Sequence, residues 1–188
     1  MKRFLVIISL LCFMMCLSAC GNDNVKDMAN KTVEAFNSKN TKEINQIIFE
    51  SEKKNDPELR ELFDNQTEND NAILKVIFDK VNMSVKSESG EKVIFEVNAP
   101  NMEGVFSSLQ GNYTDMNESN LYNHIKQYAE NAKAKTFTAE VPVEKQGDTT
   151  ALNYKSRSFI NAITGGLLDE YRQLYKSVME QYAKDVNQ

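Results

Sequence analysis

The clearest strand pattern in the chain lies in residues 136–143, which read Thr136-Phe137-Thr138-Ala139-Glu140-Val141-Pro142-Val143. Apolar and polar side chains alternate through this run, as in a strand with one buried face and one face in water. The side chains predicted to point inward are those of Phe137, Ala139, Val141 and Val143. Pro142 has no backbone N–H to donate, so we expect this strand to lie at a sheet edge or to be locally irregular there.

Three further strands are predicted at residues 81–86, 93–97 and 149–154. A turn at 88–91 joins the first two into a hairpin that ends before Pro100, and a turn at 146–148 joins the strand at 136–143 to the last. Consecutive strands thus come as hairpins, which disfavours a doubly wound parallel sheet. The predicted fold class is α+β, a curved antiparallel sheet with helices packed on one face and a long C-terminal helix.

Helices are predicted before, between and after the hairpins, from Asp23 or Asn24 to Phe36, and at residues 40–49, 59–63, 113–135 and 160–182. Residues 65–71 are polar and predict a loop, and residues 73–78 predict a short helix that leads into a strand. The dipeptide Gly165-Gly166 interrupts the C-terminal run. Each glycine inside a helix costs about 1 kcal/mol, so we expect a short helix and then a longer one over 167–186.

Three tyrosines, Tyr171, Tyr175 and Tyr182, follow one side of the last predicted helix. Their spacing is typical of an amphipathic helix that packs its apolar stripe against a sheet. We therefore expect them in the core. A groove or a partner surface is the alternative interpretation.

The first twenty residues have the composition of an export signal. Lys2 and Arg3 precede a 12-residue apolar run, and Leu17-Ser18-Ala19-Cys20 follows it before the polar residues 21–24. This ending resembles the lipobox of bacterial lipoproteins, in which the cysteine thiol receives a diacylglyceryl group before the signal is removed. The alternative is an ordinary signal peptide with a chance cysteine. The predicted organisation is a signal peptide at 1–19, a lipidated tether at 20–24 and one domain at 25–188.

Loss of the predicted signal changes what the rest of the chain can do. It removes Lys2 and Arg3 and so shifts the net charge from −5 to −7, which argues against nucleic acid and against charge-driven binding to anionic lipid. Cys20 is then the single remaining cysteine, so no intramolecular disulfide can form. We expect the protein at the cell membrane, facing outside the cytoplasm, held there by the acyl chains on Cys20.

Residues 25–166 also resemble the nuclear-transport-factor-2-like (cystatin-like) superfamily, specifically its small lipoproteins from Gram-positive bacteria. Three segments are similar. Ala35-Phe36-Asn37-Ser38-Lys39-Asn40 resembles the helix-turn that opens such domains, and residues 137–148 resemble the long paired strands near their end. Phe159-Ile160-Asn161-Ala162-Ile163-Thr164-Gly165-Gly166 resembles the short helix after the last strand. The resemblance implies a cone between the curved sheet and its helices. Members often carry a tryptophan after the last hairpin turn, where this chain has Thr149 or Thr150, and the helix at 167–186 lies beyond the common core.

Few residues are candidates for chemistry. His124 is the single histidine, so zinc clusters and most catalytic triads are not expected, and no cofactor or metal is predicted. His124 itself is expected at the surface or at the rim of the domain, with a pocket base as the alternative. The superfamily's enzymes place an Asp or His base in the cone, but Glu96 and Glu140 both fall on the polar phase of their strands.

We therefore expect a membrane-anchored lipoprotein that acts as a binding or assembly module rather than an enzyme. Its ligand is a small apolar molecule in the cone or a protein partner, and the expected ligand-binding residues are Tyr122, His124, Phe95 and Phe137. Conjugation-channel components of the resembled fold act as assembly modules. Two alternatives remain: a small isomerase- or hydrolase-like enzyme with a pocket base, and an immunity or exclusion lipoprotein.

Overall fold

The computed structural model describes residues 24–49, 68–109, 117–146 and 149–186. Its helices are α1 (24–37), α2 (Thr41–Phe49), α3 (Glu68–Lys80), α4 (Glu118–Asn131), α5 (Arg157–Ile163) and α6 (Leu167–Val186). Its strands are β1 (Asn82–Glu88), β2 (Lys92–Pro100), β3 (Ala134–Gln146) and β4 (Thr149–Leu152), and a 3-10 turn spans Ser107–Leu109. The predicted signal peptide, Cys20 and the helix predicted at 59–63 lie outside the described residues.

The four strands form one curled antiparallel sheet in the order β1-β2-β3-β4, with helices packed on one face. The α+β class and the long C-terminal helix are therefore confirmed. Along β2 the side chains of Val93, Phe95 and Val97 are fully buried, whereas Glu96 and Asn98 between and beside them are exposed. The period of two in the sequence thus corresponds to one face against the helices and one face in water.

The position of Pro142 corrects the expectation that its strand lies at a sheet edge. β3 is an interior strand, which pairs with β2 through residues 134–142 and with β4 through residues 143–146. Pro142 is the last residue paired to β2, and its carbonyl oxygen accepts from the backbone N–H of Asn153 at 2.8 Å. Pro142, which has no N–H to donate, therefore lies in an interior strand at the point where the partner of β3 changes from β2 to β4.

Side chains cover two stretches of unpaired strand backbone. On β1, Asn37 at the end of α1 accepts from the N–H of Met83 at 2.8 Å and donates to its carbonyl oxygen at 2.9 Å. On β3, Ser158 accepts from the N–H of Glu140 at 2.8 Å, and Ser156 donates to the Glu140 carbonyl at 2.6 Å. Unpaired strand backbone invites pairing with other chains, and these bonds occupy the backbone groups of Met83 and Glu140.

Two helices differ from their predicted bounds. α3 begins at Glu68, so residues 68–71 belong to a helix rather than to the predicted loop. The burial of Ile73 and Ile77, one turn apart, holds the helix as a single piece up to Lys80. α4 starts after Asn117, whose side chain caps it by accepting from the N–H of Asn120, and it stops at Asn131 because Ala132 adopts an extended backbone. Residues 134 and 135, predicted as helical, instead begin β3.

Aromatic rings fill the space between sheet and helices. Phe36 of α1, Phe95 of β2 and Phe159 of α5 are each 0 % exposed. The ring centroid of Phe159 lies 6.1 Å from that of Phe36, 6.0 Å from that of Phe95 and 5.2 Å from that of Tyr154. Aromatic rings at these centroid separations attract each other, and this attraction adds to the hydrophobic stabilisation from the surface that they bury. The cone implied by the sequence resemblance is packed with side chains at this point.

The C-terminal run breaks where the sequence predicts. Gly165 and Gly166 have φ angles of +66° and +92°, which separate α5 from α6. A Cβ atom on Gly165 would lie 1.9 Å from the carbonyl oxygen of Pro100, and Gly165 also accepts a hydrogen bond from the N–H of Met102 at 2.8 Å. Glycine is therefore required at 165 both by its backbone angle and by the close approach of another chain segment.

α6 follows the predicted amphipathic pattern, but only its first half is covered. Leu167 and Leu168 are buried and Tyr171 and Leu174 are half-buried. Four large apolar side chains in the second half are exposed: Tyr175 at 59 %, Val178 at 50 %, Met179 at 48 % and Tyr182 at 66 %. The expectation that the tyrosine row lies in the core is therefore wrong for Tyr175 and Tyr182. The helix continues past the surface against which it packs.

Candidate functional site

The predicted ligand-binding residues on the sheet belong to the core. Phe95 is fully buried against Phe159, and Phe137 is half-buried on the same face of the sheet, with the ammonium of Lys135 5.4 Å from its ring centroid. A ligand reaching Phe95 would have to displace the ring of Phe159, which the surrounding helices hold in place. The structure therefore gives these two side chains a packing role.

The other two predicted residues lie on α4 and face different directions. Tyr122 and His124 are two positions apart, which is about 200° around a helix with 3.6 residues per turn. Tyr122 packs half-buried against the core. His124 faces the loop before the 3-10 turn, where its Nε2 lies 3.0 Å from the carbonyl oxygen of Val105 and 2.9 Å from Oγ of Ser108. The four predicted residues are thus not brought together in one pocket.

Ser108 and His124 have the separation of a nucleophile and its base, but their hydrogens point elsewhere. Ser108 Oγ lies 2.7 Å from the carbonyl oxygen of Val105, which can only accept, and so donates its hydrogen there. The same carbonyl takes the Nε2 hydrogen of His124. No carboxylate among the described residues lies within hydrogen-bond distance of the ring. A serine that is not donating to the imidazole, and a histidine without an orienting acid, do not form an activated pair.

A surface pocket of about 440 Å³ lies beside His124, where the end of β2, the second half of α4 and the start of β3 meet. It is lined by Asn101, His124, Gln127, Tyr128, Asn131, Ala132 and Lys133. Nearby, Glu103 is paired with Lys135 at 2.8 Å, and this partner holds the pKa of the Glu103 carboxyl below its usual range. The carboxylate is therefore charged and already bonded, so it is poorly suited to act as a general base.

The second exposed feature is the apolar row on α6, here called the α6 stripe and defined as Tyr175, Val178, Met179 and Tyr182. These residues stand at i, i+3, i+4 and i+7, so they form one continuous face of the helix. Charged side chains lie on the opposite face, where Lys176 and Glu180 are 3.8 Å apart. The stripe is an uncharged surface with two hydroxyl groups, suited to contact with another apolar surface.

The described residues hold no group of three or more His, Cys, Asp or Glu side chains able to bind a metal ion. No helix in the described ranges is both long and apolar enough to cross a bilayer. No family model, no curated protein and no solved structure matches the chain.

The pocket was not predicted from the sequence. Of its lining residues, His124 was a predicted site residue, whereas Asn101, Gln127, Asn131 and Lys133 were not, because single amides in a loop and near a helix end carry no distinctive spacing. The α6 stripe was visible in the sequence as a periodic row. What the row could not show is where the sheet and the other helices stop covering it.

Proposed function

We propose that this protein is a lipoprotein anchored outside the cytoplasm through a lipid on Cys20, and that its nuclear-transport-factor-2-like domain binds a protein partner through the α6 stripe. The leader pattern of Lys2, Arg3, the apolar run and Leu17-Ser18-Ala19-Cys20 supports the anchor. The curled antiparallel sheet with helices on one face is consistent with the superfamily. The function is assembly at the membrane surface rather than catalysis.

The main support for the proposal is that aromatic side chains fill the space between the sheet and the helices, whereas the α6 stripe is exposed. Apolar residues at i, i+3, i+4 and i+7 are the anchors with which an amphipathic helix enters a groove on a partner. Tyrosine and methionine are enriched at such interfaces, and charged residues are depleted at their centres. The partner is accordingly expected to offer an apolar groove about two helical turns long.

The energetics suggest that the anchor and the stripe act together. Burying the exposed half of four such side chains contributes about 1 kcal/mol each. Association costs about 4–15 kcal/mol in lost freedom, so the stripe alone gives at most a weak complex between freely diffusing molecules. A lipid on Cys20 confines the protein to the membrane, where a membrane-bound partner has a much higher effective concentration.

Other functions receive less support from the described residues. A small apolar ligand in the cone would have to replace the rings of Phe36, Phe95 and Phe159. An isomerase- or hydrolase-like enzyme needs a base in a pocket, and the Nε2 atom of His124 already contacts the Val105 carbonyl oxygen and Ser108 Oγ. An immunity or exclusion lipoprotein would use the same α6 stripe and differ only in its partner.

The anchor is tested with Cys20→Ala in a bacterial host that lipidates exported proteins. We expect the unchanged protein to sediment with membranes and to carry the mass of a diacylglyceryl group on residue 20. The Cys20→Ala variant should retain its signal or be released without lipid. An unchanged protein that is cleaved elsewhere and found free of lipid would refute the anchor.

The stripe is tested by placing a photo-crosslinking amino acid at position 178 in the full-length protein on membranes. We expect one crosslinked product, which is lost when Tyr175 and Tyr182 are both changed to Ser. The matched control is Gln173→Ser, an exposed residue on the opposite side of α6 that should leave the product unchanged. Mass spectrometry identifies the product. A crosslink to a second copy would make the partner another molecule of this chain, and crosslinks insensitive to the double change would refute the stripe.

A further inference from the structure

The pocket beside His124 is lined by both polar and apolar atoms. Three amide side chains, from Asn101, Gln127 and Asn131, share it with one imidazole, one lysine and one tyrosine. The volume of about 440 Å³ lies within the range of about 300–1,000 Å³ that is usual for small-molecule sites. Polar and apolar atoms contribute comparable surface to this lining. The lining therefore favours a ligand that has both hydrogen-bonding groups and carbon surface.

Internal bonds hold several of these side chains and leave other atoms for a ligand. Asn131 donates from Nδ2 to the carbonyl oxygen of Gln127 at 2.8 Å, so its Oδ1 remains an acceptor. Asn101 accepts at Oδ1 from the N–H of Glu103 at 3.3 Å, and its side chain also bonds the Glu103 carboxyl, so this amide is held in place. The hydroxyl of Tyr128 donates to the Glu103 carbonyl at 2.6 Å, which fixes the ring. Groups held in advance lose less entropy when a ligand binds.

The same lining disfavours three other ligand classes. No carboxylate lines the pocket, so a metal ion or an amine would have no counter-charge. Lys133 is its single cation, whereas a phosphate is usually held by several cationic or backbone donors. An apolar ligand would bury the amides without partners, at a cost of about 1–3 kcal/mol for each unsatisfied group.

We propose that this pocket binds a saccharide unit. A sugar hydroxyl both donates and accepts, and an amide side chain offers one donor and one acceptor group in the same plane. The carbon surface of the lining, which includes Ala132 and Tyr128, matches the C–H groups of a sugar. Lys133 is also a lining residue and can pair with a carboxylate, so acidic sugars fall within the same class. This inference is independent of the α6 stripe, which is on a different helix.

The test is a nuclear magnetic resonance titration of the full chain in detergent micelles, isotopically labelled so that side-chain amides are visible. N-acetylglucosamine, glucuronic acid and inorganic phosphate are added separately. We expect both sugars, but not phosphate, to shift the signals of Asn101, Gln127 and Asn131, with dissociation constants of about 1 mM or weaker, as for few-contact sites.

Variants then separate pocket binding from general effects of the sugar. Gln127→Ala and Asn131→Ala alter exposed side chains, and each should weaken both sugars about five-fold, the effect of losing one hydrogen bond. Lys133→Ala should weaken glucuronic acid and leave N-acetylglucosamine unchanged. The control Gln173→Ala removes an exposed amide from α6 and should change nothing. No shift with either sugar, or an equal response to phosphate, would overturn the proposal.

Discussion

The aromatic cluster under the sheet and the second half of α6 are built from the same kinds of residues but meet opposite surroundings. Phe36, Phe95 and Phe159 are 0 % exposed, whereas the four residues of the α6 stripe are 48–66 % exposed. The difference shows that stability resides in the first region, while the second is free to contribute to binding. Substitutions in the first region should therefore cost far more stability than substitutions in the second.

Phe159→Ala should cause the largest loss of stability. Phe159 contacts the rings of Phe36, Phe95 and Tyr154, and truncation of a fully buried phenylalanine typically costs about 3–5 kcal/mol. Urea unfolding followed by circular dichroism measures the free energy difference. A loss below about 1.5 kcal/mol would mean that the site collapses readily or is less tightly packed than described.

Gly165→Ala should rank second. An alanine at the observed φ of +66° costs about 1–2 kcal/mol, and a Cβ only 1.9 Å from the Pro100 oxygen forces the chain segments apart at a further cost of about 1–3 kcal/mol. The matched control is Gly90→Ala, because a Cβ at Gly90 would meet nothing within 4 Å. That control should change unfolding free energy by at most about 0.5 kcal/mol. Equal effects of the two changes would contradict the close approach at Gly165.

Tyr154→Phe should have a smaller, pH-dependent effect. The Tyr154 hydroxyl donates to Thr32 Oγ1 at 2.5 Å, because the Thr32 hydroxyl itself donates to the Met28 carbonyl. The substitution removes this bond, which contributes about 1 kcal/mol to the unfolding free energy at neutral pH. Burial is the main influence on the pKa of the Tyr154 hydroxyl and raises it. The folded state therefore keeps the proton longer than the unfolded state does.

The sign of this linkage sets the pH window. Stability supplied by Tyr154 is fully present below the unfolded pKa of about 10 and is lost as pH rises through the higher folded pKa. The difference in unfolding free energy between the unchanged protein and Tyr154→Phe should therefore be constant from pH 7 to pH 9 and shrink above pH 10. Urea unfolding of both proteins across this range measures it. A difference that stays constant above pH 10 would contradict the raised pKa.

The combined change of Tyr175 and Tyr182 to Ser should have the smallest effect. Both side chains are at least half exposed, and surface changes of this kind usually stay within about 0.5 kcal/mol. The unfolding free energy should match that of the Gln173→Ser control, while the photo-crosslink from α6 is lost. A loss comparable with that of Phe159→Ala would show that the stripe belongs to the core after all.

The described strands and most helix ends could be predicted because local patterns fix them. Alternation at Val93, Phe95 and Val97 gave the buried face of β2, and two glycines gave the break before α6. The prediction failed at residues 68–71, whose polar side chains favour a loop locally but form the first turn of a helix held by Ile73 and Ile77 further along. Propensity over four residues is weaker than the burial of the face that follows.

The candidate sites were predicted less well, for a related reason. Phe95 and His124 were predicted together as ligand-binding residues, with His124 at the surface or rim, whereas in the structure the first is enclosed by rings and the second contacts the Val105 carbonyl. The pocket joins Asn101 to residues 124–133, a combination that arises only when the end of β2 is folded beside α4. No sequence pattern within one helix or strand predicts that Asn101 lies beside residues 124–133.

The sequence by itself determined the leader pattern, the alternation that builds the antiparallel hairpins and the periodic apolar row of α6. Only the tertiary structure decided that the cone is filled, that Pro142 lies where β3 changes neighbours and that the α6 row emerges uncovered from Tyr175 onward. The physical reason is that periodicity is a property of consecutive residues. Burial instead depends on atoms that arrive from distant parts of the chain, so a sequence shows which side chains share a face but not whether that face is covered.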